Sequence, residues 1–261
     1  AAAAMLGTVI FGLGGLGWAI LLLAFFISSS VLSRLFRKRK RALDEKFSKG
    51  SRRDAGQVAA NGGIAGLFVL LHVFLPAAGW VENTGWAWAA FAAALAAANA
   101  DTWATELGVL SRSVPRLITS GEIVEPGTSG GVTLFGSLAA LSASALIALL
   151  AIFFWQGQIS TNSTGFPGAY LAVHEQLAWF GILTIAGFSG SLFDSFLGAT
   201  LQAIYYCPAC SKETERHPYH ICGSTTRRIR GLSWLDNDWV NTGCTLVGAL
   251  VALVGYLLLG H

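Results

Sequence analysis

The chain has few charged residues. Only 12% of its 261 residues are Asp, Glu, Lys or Arg, whereas 54% are hydrophobic. A soluble domain carries about 25% charged residues, so this chain lacks the polar surface that a water-soluble fold of its size needs. The shortage of charge therefore excludes an ordinary soluble protein and indicates a protein that lies in a membrane.

Long apolar runs recur along the chain with few polar interruptions. A transmembrane helix needs about 20 predominantly apolar residues, and we find six runs of this kind. The first run is not a cleaved signal peptide, because it lacks a basic start and is longer than an apolar signal segment. We predict an all-α, polytopic membrane protein of about six transmembrane helices that forms a single domain over residues 1–261. The predicted spans are roughly 5–33, 55–78, 85–111, 131–155, 175–206 and 237–260.

Basic residues are missing from alternate loops. The 17 Lys and Arg residues fall into three loops, with ten between Arg34 and Arg53, two at Arg112 and Arg116, and five between Lys212 and Arg230. The connections 79–84 and 156–174 contain none. The positive-inside rule places the three basic loops in the cytosol or the stroma, and it places both termini on the opposite side. We call the face with the basic loops the basic side.

The distribution of positive charge also bears on partners and location. The net charge of +3 is accounted for by topology and by attraction to anionic lipids, so we expect no nucleic acid partner. We expect a multi-pass protein of a bacterial plasma membrane or a chloroplast-type membrane. The sequence leaves a homo-oligomer open.

Acidic residues are rare in the spans, and those present lie in the basic-side half. The string "NADTWATELG" (Asn99 to Gly108) brings Asp101 and Glu106 to the end of the third span, Asp194 lies in the fifth, and Asp236 opens the sixth. An ionisable side chain inside a membrane is costly and marks a functional site. The outer half of the spans contains no cluster of acids, so we predict a polar pocket that opens to the cytosol. Further polar residues of this pocket are Gln57, Asn61, Asn99, Asn237 and Asn241.

The clustered acids favour a divalent cation. Three or more carboxylates in one half of a membrane repel one another unless protons or cations neutralise them. Oxygen ligands suit Mg²⁺, which also bridges to substrate phosphates. We predict that Asp101, Asp194 and Asp236 are Mg²⁺ ligands and that Glu106 supports the metal or its hydrogen bonds. Asp238 is an acid beside Asn237, and the sequence does not decide which of the two contributes.

A glycine-rich loop supplies groups that bind phosphate. The segment "EPGTSGG" contains Gly127, Thr128, Ser129 and Gly130 and leads into the fourth span. Its backbone N–H groups, its hydroxyls and the N-terminus of the following helix favour anions. It is not a P-loop, because no Gly-Lys-Ser/Thr follows. Basic residues expected at the same mouth are Arg52, Arg53, Arg116, Arg227, Arg228 and Arg230. Together these groups indicate phosphoryl or nucleotidyl transfer to a lipid.

Four residues of the last basic loop form a candidate zinc site. Cys207 and Cys210 have the C-x-x-C spacing of zinc ligands, and His220 with Cys222 completes a set of four. His217 is an alternative to His220, and the irregular spacing of this second pair counts against the site. A disulfide is not expected on the reducing side of the membrane. We would assign such a zinc ion a structural role.

Several strings resemble an integral-membrane family, long labelled a domain of unknown function, that includes the phytyl-phosphate kinase of tocopherol biosynthesis. The strings lie between about Arg52 and Asn241, and the first helix and the basic loop after it carry none. They are "RRDAGQVAANGG", "NADTWATELGVLS", "PRLIT", "PGTSGGVTLFG", "GFSGSLFDSFLGATLQ" and "WLDNDWVN". The positions that the resemblance carries over are Asn99, Asp101, Glu106, Asp194, Ser195, Asp236, Asn237 and Asn241.

The resemblance implies a kinase with a phosphate group as acceptor. Such an enzyme transfers a phosphoryl group from a nucleoside triphosphate, with CTP favoured, to an isoprenyl monophosphate such as phytyl or geranylgeranyl phosphate. Two rival functions remain open. A cytidylyltransferase would use nearly the same site to form a CDP-lipid. An inward-facing ion-coupled transporter would also place acids on the basic side, although it would need a route through the outer half.

Overall fold

The computed structural model describes residues 1–36, 54–80, 84–155 and 171–259. Arg52 and Arg53 lie outside the described residues. The described residues form seven α-helices and five short β-strands. The helices are α1 (Ala2–Gly14), α2 (Leu16–Leu35), α3 (Ala55–Ala77), α4 (Gly85–Gly108), α5 (Leu134–Phe153), α6 (Val173–Thr200) and α7 (Asn237–Leu258). The strands are β1 (Arg116–Leu117), β2 (Gly131–Val132), β3 (Ile204–Cys207), β4 (Lys212–Thr214) and β5 (Arg227–Arg230).

The prediction of a polytopic helical membrane protein is confirmed. By length and composition, α2, α3, α5, α6 and α7 are each able to cross a membrane. Helix α4 has 24 residues, a length of about 36 Å that exceeds the apolar thickness of a bilayer. The strands lie in the basic-side loops, so two predicted spans were too long. Residues 131–132 belong to β2 rather than to the fourth span, and residues 204–206 belong to β3 rather than to the fifth.

The predicted first span, 5–33, is wrong as a single crossing. It is divided at Gly15, whose φ of 82° and ψ of −163° lie in a region that glycine alone adopts readily. The 13 residues of α1 reach about 20 Å, which is shorter than the apolar core of a membrane. A glycine inside an apolar run does not change the hydropathy pattern enough to indicate a break, so the break at Gly15 was not predicted.

Helices α1 and α2 run in opposite directions. Leu6 of α1 lies against Gly62 in the first half of α3, whereas Trp18, just after the break, packs on rings near the far end of α3 and the start of α4. At the other end of α2, Ser33 reaches Glu106 near the end of α4. Helix α1 therefore begins in the basic-side half, and the prediction that this end of the chain lies on the outer side is wrong.

Helix α4 forms the centre of the bundle. Every residue from Ala87 to Ala100 is buried, and α4 contacts α2, α3, α5, α6 and α7. Small side chains allow this close packing. A Cβ atom at Gly190 of α6 would lie 2.6 Å from the Cβ of Ala97, and one at Gly248 of α7 would lie 2.8 Å from the same atom. The tight packing fixes the residues that follow Ala100 relative to α6 and α7.

Two small antiparallel sheets lie on the basic side. Strands β1 and β2 pair with Arg116 opposite Val132, and they enclose the glycine-rich loop. The second sheet has the order β4-β3-β5. It is joined to the end of α6, because Leu232 N–H donates to the carbonyl of Leu201 at 2.9 Å and Ala203 N–H donates to that of Leu235 at 2.9 Å. Both sheets therefore cover the basic-side ends of the helices.

Candidate functional site

A cavity of about 360 Å³ lies at the basic-side end of the helix bundle. It is bounded by the ends of α2, α4 and α6, the starts of α3, α5 and α7, and the glycine-rich loop. Twelve of the predicted site residues line it, namely Gln57, Asn61, Asp101, Glu106, Gly127, Thr128, Ser129, Gly130, Asp194, Ser195, Asn237 and Asn241. Residues from segments far apart in sequence therefore meet in one place.

Two acidic side chains meet across the cavity. Asp101 of α4 and Asp194 of α6 are within hydrogen-bonding reach of each other, and the charge of Glu215, which follows β4, also acts on Asp194. The Oδ2 atom of Asp194 is shielded from solvent and accepts no hydrogen bond from the residues that the structure describes. Like charges at such short range need a shared proton or a cation between them. A shielded carboxylate oxygen beside a second carboxylate fits the donor set that Mg²⁺ requires.

Glu106 is held in place by the neighbouring helix. It is buried, with 7% of its surface exposed, and its Oε1 atom accepts a hydrogen bond of 2.7 Å from Ser33 Oγ of α2. Glu106 lies five residues after Asp101 on α4, and both residues line the cavity. Helix α2 thus contributes to the order of the acidic cluster although it carries no acidic residue of its own.

The glycine-rich loop has the backbone geometry expected of a tight turn. Gly127 and Gly130 have φ angles of 81° and 83°, which non-glycine residues rarely adopt. A Cβ atom on Gly130 would lie 2.5 Å from the backbone nitrogen of Ala199, so the loop rests directly on the end of α6. Helix α5 begins just beyond the loop, with Thr133 Oγ1 accepting a hydrogen bond of 3.0 Å from Gly136 N–H. The anion-favouring N-terminus of α5 therefore borders the cavity.

A chain of hydrogen bonds links the glycine-rich loop to the second sheet. Ser129 Oγ donates to Oε1 of Gln202, and Gln202 Nε2 donates to Oε1 of Glu215 at 3.0 Å. Gln202 is buried, with 2% of its surface exposed. The three side chains fix the glycine-rich loop, the end of α6 and the cysteine-containing loop (residues 207–236) relative to one another at the rim of the cavity.

Asn99 does not reach the cavity. Its side chain is fully buried, its Oδ1 atom accepts hydrogen bonds from Ser28 and Ser29 at 3.0 and 3.3 Å, and its Nδ2 atom donates to the carbonyl of Ala143 at 3.0 Å. These bonds join α2, α4 and α5. The prediction that Asn99 binds substrate is therefore corrected: its hydrogen-bonding capacity is used in packing, which sequence spacing alone does not reveal.

Asp236 caps helix α7 and does not line the cavity. Its Oδ1 atom accepts hydrogen bonds from the N–H groups of Asp238 and Trp239, at 3.0 and 3.2 Å, and its side chain is exposed. An acidic residue before an apolar helix fits an N-cap and a metal ligand equally well in a sequence. The structure assigns the capping position to Asp236 and brings Asn237 and Asn241 to the cavity instead.

Two of the predicted arginines, Arg116 and Arg228, also lie away from the cavity wall. Arg116 is exposed in β1, and its Nη1 atom donates to the carbonyl of Gly121 at 2.8 Å. Arg228 is exposed in β5, opposite Tyr205 of β3. Neither residue lines the cavity, so the prediction that they hold substrate there is corrected. Position in a basic loop indicates the side of the membrane but not the direction of a side chain.

Among the lining residues that were not predicted as site residues, three form hydrogen bonds within the site. Ser33 comes from the first apolar run, which carried no polar signal beyond its serines, and Glu215 comes from the cysteine-containing loop. Gln202 lies about two helical turns after Asp194, so helical spacing was an available signal for it. Glu215 gave no signal, because only the fold of its loop back over α6 places it at the cavity.

The four predicted zinc ligands come together on the second sheet. The ligand atoms of Cys207, Cys210, His220 and Cys222 all lie within 4.8 Å of one another. Burial of Cys207 opposes its ionisation, but backbone N–H groups of Cys210 and Ala209 and the thiol of Cys222 donate to its sulfur, and the net effect lowers the pKa of Cys207. Hydrogen bonding with the Cys222 thiol, aided by burial, raises the pKa of Cys210 to about 11. Within the cluster, Cys207 therefore loses its proton more readily than Cys210.

The fold and cavity define an integral membrane protein with a polar, acid-rich cavity at the basic-side end of its helices. The chain belongs to the family Integral membrane protein DUF92, whose model matches residues 1–249. The family predicted from the sequence motifs is thereby confirmed.

Proteins from plants, archaea and cyanobacteria are similar to this chain. Protein PGR of Arabidopsis thaliana is 36% identical over 236 residues, which cover 87% of this chain and 77% of the plant protein. An uncharacterized membrane protein of Methanocaldococcus jannaschii is 30% identical over 254 residues, covering 97% and 82% of the two chains. One from Synechocystis is 27% identical over 251 residues, covering 95% and 78%. No solved structure matches the chain.

Proposed function

We propose that this protein is a Mg²⁺-dependent kinase that phosphorylates an isoprenyl monophosphate. The acceptor is phytyl or geranylgeranyl phosphate, and the donor is a nucleoside triphosphate, with CTP expected. An oxygen of the acceptor phosphate forms a bond to the terminal phosphorus of the donor while the bond between the donor's β- and γ-phosphates breaks. The products are an isoprenyl diphosphate and a nucleoside diphosphate. The observation that carries the proposal is the pairing of Asp101 with Asp194 beside the glycine-rich loop.

The acidic pair accounts for the metal requirement. Asp101 and Asp194 would hold Mg²⁺, with Glu215 adding negative charge close to Asp194. Mg²⁺ bound there would neutralise charge on the donor phosphates during phosphoryl transfer. Asp236 is left out of this ligand set, because its carboxylate caps α7. Glu106, held by Ser33, keeps the acidic side of the cavity ordered.

The remaining polar groups suit the phosphates. Thr128 and Ser129 supply hydroxyls, the start of α5 supplies a helix N-terminus, and Asn237 and Asn241 line the opposite wall. The acceptor phosphate is already ionised at neutral pH, so the reaction needs little help from a general base. Positioning of the two phosphates and preorganised hydrogen-bond donors therefore provide the rate enhancement.

The apolar part of the cavity suits an isoprenyl chain. Phe188 and Leu192, which precede Asp194 on α6, line the cavity. A lipid with its phosphate at the acidic pair would extend its hydrocarbon chain along such residues. The cavity lies at the basic-side ends of the membrane helices α4 and α6. An acceptor whose phosphate binds there can keep its hydrocarbon chain in the membrane, and this supports a lipid rather than a soluble acceptor.

A cytidylyltransferase is the second candidate, since the same cavity would bind CTP and a lipid phosphate. It differs in the bond that breaks, because the acceptor would attack the α-phosphorus and release pyrophosphate. Transport is less well supported. The α4 segment from Ala87 to Ala98 is apolar and completely buried, and this arrangement leaves no polar route through the outer half along the central helix.

The test uses detergent-purified protein with Mg²⁺ and either phytyl or geranylgeranyl monophosphate. Each of the four ribonucleoside triphosphates is added in turn, and the products are resolved by mass. The proposal predicts an isoprenyl diphosphate and the matching nucleoside diphosphate. A CDP-lipid with pyrophosphate would replace the kinase with the cytidylyltransferase. Folded protein that gives no product with any donor and either acceptor would overturn both enzyme proposals.

A further inference from the structure

We propose that Cys207, Cys210, His220 and Cys222 bind one zinc ion in a closed structural site, and that this site holds Glu215 against the cavity. The first part depends only on the cysteine-containing loop. The second part, as far as it concerns activity, rests on the proposed function.

The distances between the four ligand atoms agree with a tetrahedral zinc site. Sulfur atoms about 2.3 Å from a tetrahedral zinc ion lie about 3.8 Å apart, and a sulfur and a nitrogen ligand lie about 3.6 Å apart. In the structure the Sγ atoms of Cys207 and Cys222 are 3.6 Å apart. His220 Nδ1 lies 3.5 Å from Cys210 Sγ and 3.2 Å from Cys222 Sγ. All four ligand atoms lie within 4.8 Å of one another, so small movements of the side chains would bring them around one zinc ion.

The backbone forms two turns that present these ligands. Cys207 is the last residue of β3, Cys210 lies in the turn between β3 and β4, and Ser211, the next residue, has a φ of 52°. His220 and Cys222 lie in a second turn, closed by a hydrogen bond of 2.9 Å from His220 N–H to the carbonyl of Ser224. Gly223, directly after Cys222, has a φ of 82°. Each pair of ligands is thus followed by a left-handed residue that reverses the chain around the cluster.

A disulfide is a poorer explanation of the cluster. Bonded sulfur atoms lie about 2.05 Å apart, whereas Cys207 and Cys222 are 3.6 Å apart and share their space with Cys210 and His220. The loop also lies on the basic side, where thiols are normally kept reduced. The small sheet and its connecting turn expose apolar residues such as Ile229 and Ile221. Small folds of this kind are commonly stabilised by a metal.

The sheet connects the cluster to the cavity. Strand β4 carries the chain from Cys210 directly to Glu215, whose Oε1 atom accepts the hydrogen bond from Gln202. On the far side of the sheet, Arg230 Nη1 donates to the carbonyl of Ala199 at the end of α6. Loss of zinc would therefore release Glu215 and loosen the contact with the glycine-rich loop, while the helix bundle would stay folded.

The test measures metal in full-length protein purified under reducing conditions without chelator. We expect about one zinc ion per chain by elemental mass spectrometry, and its loss in Cys210→Ser and His220→Ala. The matched controls are Cys244→Ser, a cysteine in α7, and His217→Ala, the other histidine of the loop, and both should retain zinc. Wild-type protein without bound zinc, even after incubation with Zn²⁺, would overturn the proposal. Zinc loss in His217→Ala with retention in His220→Ala would overturn the ligand set.

A second measurement does not depend on variants that fold. Wild-type protein stripped of zinc and loaded with Co²⁺ should show thiolate-to-cobalt absorption together with the visible bands of a tetrahedral site. Absence of these bands, or an intact mass two hydrogens below the reduced value, would contradict the site. If zinc is present but its removal leaves phosphoryl transfer unchanged, the site stands and its link to the cavity fails. If no transfer occurs with zinc bound, only the proposed function fails.

Discussion

At the scale of single residues, the surroundings of a carboxylate separate structural acids from candidate metal ligands. Asp194 keeps a shielded oxygen and faces Asp101 and Glu215. Asp236 is exposed, and its Oδ1 atom accepts two backbone hydrogen bonds at the start of α7. All of these residues are acids in or next to helices in the sequence, and only the fold tells them apart. Their substitutions should consequently have different effects.

For Asp236 we predict an effect on stability alone. Asp236→Asn keeps an oxygen that caps the helix, so it should retain both the unfolding temperature and the rate of transfer. Asp236→Ala removes the cap and should cost about 1 kcal/mol of stability, while the folded fraction stays active. Thermal unfolding in detergent and turnover per folded molecule are the measurements. A strong loss of turnover in folded Asp236→Asn would contradict this prediction and indicate that Asp236 is a metal ligand.

At the scale of elements, the glycine-rich loop depends on its contact with α6. We predict that Gly130→Ala lowers the rate of transfer by roughly 10- to 100-fold, since its Cβ atom would collide with Ala199 and displace the loop. Gly121→Ala is the matched control. Gly121 also has a positive φ, of 73°, but open space surrounds its Cβ position. Equal effects of the two substitutions on turnover would show that backbone strain, rather than the contact with α6, matters.

The packing of α6 on α4 provides another pair of glycines for comparison. A Cβ atom at Gly190 would lie 2.6 Å from Ala97 Cβ and from the carbonyl oxygen of Cys244, whereas nothing lies within 4 Å at Gly181 of the same helix. We predict that Gly190→Ala destabilises the protein by about 1–3 kcal/mol through overpacking. Gly181→Ala should be neutral or stabilising, by up to about 1 kcal/mol. Unfolding temperatures in detergent test this, and a stable Gly190→Ala variant would contradict the packing.

The element scale also shows how far the sequence determines the fold. The apolar runs correctly predicted helices α3 to α7, because the bilayer sets the length and composition of a membrane helix. The break at Gly15 and the short strands were not predictable in the same way. A glycine in an apolar run is common in membrane helices, and strands of two to four residues are stabilised by tertiary contacts such as those between Leu232 and Leu201.

For the site, the sequence identified most of the polar side chains but not the residues that contact them. Asp101, Asp194 and the glycine-rich loop were identifiable because acids in a membrane and glycines in a turn each have a physical cost that calls for a function. Asn99 was assigned to substrate for the same reason, yet Ser28, Ser29 and Ala143 satisfy it. Glu215 was not predicted, since its place at the cavity depends on the sheet beside the cysteine cluster.

At the scale of the whole molecule, all Lys and Arg residues lie in the last turn of α2 or in the three basic loops, which we assign to one side of the membrane. We predict that trypsin cleaves the protein in sealed inside-out vesicles and leaves it intact in sealed right-side-out vesicles, because trypsin cuts only after Lys and Arg. Detergent should make both preparations equally sensitive. Cleavage of right-side-out vesicles without detergent would contradict the assigned topology.

The central claim is that the meeting of Asp101 and Asp194 forms the site of phosphoryl transfer. The most direct test is the turnover of Asp194→Asn with Mg²⁺ and isoprenyl monophosphate, alongside Glu122→Gln, an exposed acid outside the cavity. Asparagine keeps the shape of the side chain and removes its charge. We predict that Asp194→Asn unfolds at the wild-type temperature or above and loses at least about 100-fold in turnover, while Glu122→Gln is unchanged. A folded Asp194→Asn variant with wild-type turnover would contradict the account.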